Sequence, residues 1–107
     1  MNIQFLYFEG CPSHQEAMQR LRDVLTEMNQ FAMIETIRVE TDAEAKKYQF
    51  VGSPTIRING EDIDPVPPDA TYGLTCRVYR WEDGRVSPLP SPSMIRRGIE
   101  KARQHAE

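Results

Sequence analysis

"IQFLYFEGCPSH", residues 3–14, is the stretch on which the reading of the fold turns. Its first half is a short, nearly continuous apolar run enriched in aromatics, the pattern of a strand buried on both faces. Gly10 and Pro12 end the run. Beyond them Ala17, Met18, Leu21, Val24, Leu25 and Met28 form one apolar helical stripe, with Gln19, Arg20, Asp23 and Glu27 opposite. The stretch is a strand-to-helix turn, and Cys11 sits in it. Two helix starts compete: Cys11 capping with Pro12 in the first turn, or Ser13 capping with Glu16 closing a capping box. Either start sets the sulfur against the helix's unpaired N–H groups and positive end, which favour thiolate over thiol. His14, one turn on, would lower the thiol pKa as an imidazolium or take the proton as a neutral base. A free cysteine also makes a good small core residue. The position at the end of a strand, where α/β sheets collect their chemistry, favours the reactive reading.

Outward from this turn, "MIETIRV" (33–39) alternates as a strand, with Met33, Glu35, Ile37 and Val39 on one face. Thr41 and Glu44 have capping-box spacing before a short helix through Ala45 and Tyr48. "GSPTIRINGEDI" (52–63) places Pro54 before a β-branched run, and Asn59-Gly60 signals a hairpin. Ser91 and Pro92 then open a last helix with Met94, Ile95, Gly98, Ile99 and Ala102 as its apolar stripe. A β-α-β start implies a parallel pair with a right-handed crossover, and the hairpin adds antiparallel strands. The expectation is a four-stranded mixed sheet with helices on both faces. Residues 61–90 fit least well, because Pro65, Pro67, Pro68, Pro88 and Pro90 are too many for a central strand. Within them "LTCRVYRW" alternates, placing Cys76 on one face with Leu74 and Val78, either as a core residue of a fifth strand or, if the segment folds across the carboxyl edge of the sheet, within approach of Cys11. Asp83-Gly84 predicts a second small hairpin.

The 107 residues make one domain, 1–107, and 39% hydrophobic with 27% charged residues is an ordinary globular composition. No apolar run approaches the roughly 20 residues of a membrane span. The first ten residues lack a basic region and a cleavage site, so a cytoplasmic protein with no membrane partner is expected. In a reducing compartment two cysteines, Cys11 and Cys76, are not a disulfide framework, and a bridge between them would be transient or catalytic. The net charge of −3 speaks against nucleic acid, although residues 77–103 hold 7 basic and 3 acidic side chains. Tyr79 and Trp81 alternate with those arginines, but no RNA-binding motif accompanies them. Arg77, Arg80, Arg85, Arg96 and Arg97 read as a solvated basic surface, or as guanidinium groups for a carboxylate-bearing thiol. The paired close spacings of a structural zinc site are absent. Two thiolates would suit Hg(II) or Cu(I), and His105 reads as solvent-exposed.

"YFEGCPSH" followed some way on by "GSPTI" resembles the thioredoxin-fold superfamily, and "FVGSPTIRINGEDI" resembles the corresponding stretch of glutaredoxins. More specifically the chain resembles a small family of bacterial thioredoxin-like proteins, some labelled alkylmercury-lyase-like. The resemblance covers 1–64 and the last helix, and it implies a thioredoxin-like α/β fold with an inserted segment at 65–90. It implies Cys11 as nucleophile, a cis Pro54 followed by Thr55 packed against it, and a Ser53 backbone ready to pair with an extended thiol substrate. Pro12 and Ser13 would line that substrate site. Where the superfamily has C-x-x-C, this chain has Cys11-Pro12-Ser13-His14, so a resolving thiol must come from elsewhere, and Cys76 is the candidate. Three functions follow as expectations. The first is thiol–disulfide redox chemistry on protein or small-molecule thiols, with no bound cofactor and with glutathione as a co-substrate. The second is a soft-metal or thiol-ligand binder using Cys11 and Cys76, and the third is a non-catalytic interaction module.

Overall fold

The computed structural model describes residues 1–104. Its elements are β1 (Ile3–Tyr7), α1 (His14–Glu27), β2 (Ile34–Arg38), α2 (Asp42–Lys47), β3 (Thr55–Ile58) and β4 (Glu61–Asp62). After a long connection come β5 (Tyr79–Arg80), β6 (Val86–Ser87) and α3 (Pro92–Gln104). The first four strands form one mixed sheet in the order β2-β1-β3-β4. β1 runs parallel to β2, from Ile3 opposite Ile34 to Tyr7 opposite Arg38, and antiparallel to β3, with Ile3 opposite Ile58 and Leu6 opposite Thr55. That is the arrangement expected of a β-α-β start followed by a hairpin.

Side-chain alternation on β1 divides the core in two. Ile3 and Phe5 pack with Ile56, Ile58 and the buried stripes of α1 (Ala17, Leu21, Val24, Leu25) and α3 (Ile95, Ile99, Ala102). Leu6 faces the other way, with Val39, Ala45 of α2 and Phe50. Helices therefore cover both faces of the sheet, and each fully buried Ile, Leu or Phe contributes roughly 1.5–3 kcal/mol. β2 is an edge strand. Ile34 packs on the first cluster and Ile37 on the second, as alternation requires, but Met33 lies outside the strand and is 90% exposed.

Local signals set most element ends. Asn59 and Gly60 have φ of 52° and 84°, the left-handed pair that a tight hairpin between β3 and β4 demands. The Thr41 hydroxyl accepts from the Glu44 N–H at 3.1 Å, and the Ser91 hydroxyl accepts from the Met94 N–H at 3.1 Å. Asp83-Gly84 does turn the chain between β5 and β6, a separate two-stranded sheet. The start of α1 departs from expectation. The helix begins at His14, and Ser13, already in helical conformation, makes no side-chain cap, so neither of the two expected caps forms. His105 lies outside the described residues. Among the described residues no helix is long and apolar enough to cross a membrane.

Candidate functional site

The turn after β1 closes with the Cys11 N–H donating to the Phe8 carbonyl at 3.0 Å. Its residue is 0% exposed. The sulfur donates to the Ser53 carbonyl at 3.5 Å, so its backbone partner is the loop before β3 and not the leading amides of α1. The Ser53–Pro54 bond is cis, and Ser53, Pro54 and Thr55 are all buried.

The decisive feature comes from the long connection. Residues 75–77 lie alongside Ser53 as a single parallel bridge between Ser53 and Cys76. The Ser53 N–H donates to the Thr75 carbonyl at 2.8 Å, and the Arg77 N–H donates to the Ser53 carbonyl at 2.9 Å. The Ser53 backbone expected to await an extended substrate is thus already paired with the chain's own segment. Gly52 makes this approach possible. A Cβ there would stand 2.8 Å from the Arg77 Cα, and its φ of +147° suits glycine.

Arg77 and Tyr79 anchor the strap formed by residues 73–79. The Arg77 guanidinium is 6% exposed and donates to Asp62 Oδ2 at 2.7 Å, to the Asp64 carbonyl at 2.7 Å and to Thr55 Oγ1 at 3.3 Å. Burial works against its charge, but Tyr79, Asp62 and Asp64 outweigh that and hold its pKa above the ordinary value. Tyr79, also fully buried, donates its hydroxyl to the Pro54 carbonyl at 2.6 Å, and burial pushes its phenol pKa up. The guanidinium lies 4.6 Å from the Tyr79 ring centre.

This anchoring decides which face of the alternating segment is buried. Arg77 and Tyr79 point inward, while Cys76 and Val78 are exposed and Leu74 is only half-buried. Turned in, the arginine meets a carboxylate, a carbonyl and a ring, which offset the cost of burying its charge. Cys76 is consequently not a core residue of a fifth strand. The Ser53–Cys76 bridge and the Cys11 Sγ bond to the Ser53 carbonyl bring the two cysteines near each other, although they are far apart in sequence. A hydrogen bond with Cys11, then partial burial, then the charge of a Cys11 thiolate hold the Cys76 pKa above its ordinary value. Both cysteines are free thiols.

Of the expected site residues, Cys11, Ser53, Pro54, Thr55 and Cys76 come together. The His14 ring stacks on Tyr7 with ring centres 4.7 Å apart, and it hydrogen-bonds to neither thiol among the described residues. Pro12 is exposed and Ser13 half-buried, beside the turn. Arg77 is spent on the strap, Arg85 pairs with Asp83, Arg96 with Glu27 and Arg97 with Glu82. Trp81 is held between Arg20 and Arg85 and donates its indole N–H to the Leu89 carbonyl. Gly52, Asp62, Arg77 and Tyr79 had no sequence signal for their part in the site, because each acts through a partner distant in the chain. The Ser53 hydroxyl is buried beside the pair without a hydrogen-bond partner. Among the described residues no three His, Cys, Asp or Glu side chains converge as a metal site.

Comparison of the chain with family models, curated proteins and solved structures finds no match.

Proposed function

We propose that the protein is a thiol–disulfide redox protein whose working pair is Cys11 and Cys76. One observation carries the reading: a strap anchored by a buried arginine pairs Cys76 with Ser53, whose carbonyl accepts from the Cys11 thiol, so the two cysteines lie near each other. Two neighbouring reduced thiols can exchange two electrons with a partner disulfide, forming an internal bridge without a thiol from another molecule. The sheet order, the helices on both faces and the cis Ser53–Pro54 bond beside Cys11 support a thioredoxin-like reading of the fold. A cytoplasmic setting would keep the pair reduced between turnovers. Glutathione disulfide is the natural small oxidant to try.

The test is titration of the reduced protein with glutathione disulfide or oxidised dithiothreitol, followed by peptide mass mapping. The expected product is one Cys11–Cys76 disulfide in a monomer, with a defined midpoint potential. Accumulation of two separate mixed disulfides would remove the reading. A pair that resists oxidation yet binds Hg(II) or Cu(I) one-to-one, with loss in either single cysteine variant, would establish the soft-metal function instead.

A further inference from the structure

The redox pair proposed above has one buried and one exposed sulfur, and this asymmetry bears on which of them a substrate meets. We propose that Cys76 is the entry sulfur for low-molecular-weight disulfides and that Cys11 is the resolving thiol. The inference rests on the redox-pair reading and reverses the roles that the position of Cys11 suggests.

Cys11 is 0% exposed, with the strap lying along the Ser53 backbone that its sulfur contacts. Uncovering it requires release of both Ser53 backbone bonds, the Arg77 contacts to Asp62 and Asp64, and the Tyr79 bond to Pro54. Cys76 needs no such opening. It is exposed and flanked by the exposed Thr75 and Val78. The same strap argues for a small substrate. Both polar groups of the Ser53 backbone are occupied, so no extended peptide can add to this edge, and none of the surface grooves described is lined by either cysteine. A small disulfide reaching one exposed sulfur needs neither groove nor free backbone.

The exchange balances in two steps. The Cys76 thiolate, its proton lost to solvent, bonds to one sulfur of RS–SR, and RS⁻ leaves to be protonated. The Cys11 thiol then loses its proton and attacks the Cys76 sulfur, forming the Cys11–Cys76 disulfide and expelling the second RS⁻, which takes up a proton in turn. Two electrons pass from the protein dithiol to the disulfide, giving two RSH, and a dithiol such as dithiothreitol restores the protein.

The experiment is stopped-flow reaction of reduced protein with 5,5′-dithiobis(2-nitrobenzoate), with the protein mass read at the end. The native protein is expected to release two equivalents of thionitrobenzoate and keep none. Cys11→Ser should release one equivalent at least as fast as the native protein's first phase and keep one thionitrobenzoate on Cys76. Cys76→Ser should react about tenfold or more slowly, since Cys11 then reacts only through local opening. In urea both variants should react equally fast, which separates protection by the fold from a damaged thiol. A fast Cys76→Ser with a slow Cys11→Ser would overturn the assignment and show that the strap lifts. A native protein that keeps two adducts would instead refute the redox pair itself, a different result from either variant pattern.

Discussion

Cys76 stands in water and beside a second thiol, two conditions that pull its chemistry in opposite directions. Exposure makes it reachable, while its hydrogen bond with Cys11, partial burial and the charge of a Cys11 thiolate keep it protonated above the ordinary thiol range. The neutral form is the one the fold favours. Whatever stability this contributes is present in full below the unfolded thiol pKa and is lost as pH rises through the higher folded value. Alkylation of Cys76 by iodoacetamide, followed by peptide mapping across pH, should therefore show a midpoint above about 8.5. Cys11→Ala removes the first and third causes and should move that midpoint down. An unmoved midpoint would mean that the two thiols do not interact. At this scale the sequence was informative about which residues carry chemistry and silent about their environment. Cys11, Pro54 and Cys76 stood out by type and position, whereas nothing near Cys76 in the chain announces that it faces outward.

The strap is the element whose docking creates the site, and its strength lies in one buried ion pair. Arg77 and Asp62 are 6% and 11% exposed, so removing one charge leaves the other poorly solvated. Asp62→Asn should destabilise the protein by about 3 kcal/mol, the usual scale for breaking a buried pair. It should also raise the alkylation rate of Cys11 in a Cys76→Ser background, because the strap then opens more often. Urea unfolding and mass-resolved alkylation measure the two effects. Lost stability with Cys11 still fully protected would show that the arginine supports the fold without guarding the thiol. Alternation alone placed Leu74, Cys76 and Val78 on one face and left open whether that face would be the buried one. The opposite set was chosen because Arg77 finds Asp62 and Asp64, and Tyr79 finds the Pro54 carbonyl.

For the whole molecule, oxidation of the pair would close a long loop that ties the first strand-to-helix turn to the connection after β4. In the chain-entropy picture such a closure stabilises by at most roughly 4 kcal/mol, through the unfolded state. The oxidised protein should accordingly unfold at higher urea than the reduced one, and dithiothreitol should abolish the difference. No shift would mean that the bridge strains the folded state as much as it restricts the unfolded one. What the sequence determined by itself was everything set by near neighbours. That covers the β-α-β start with its helical stripe, the Asn59-Gly60 hairpin, the Thr41 and Ser91 caps, and the second hairpin at Asp83-Gly84. These depend on backbone preference and periodicity within a few residues. Only the tertiary structure decided that residues 75–77 would lie on Ser53, that Cys11 would be covered and that Cys76 would be the sulfur facing water. The reason is that burying a charge is decided by its partner, and the partner of Arg77 lies fifteen positions away in the chain on another strand.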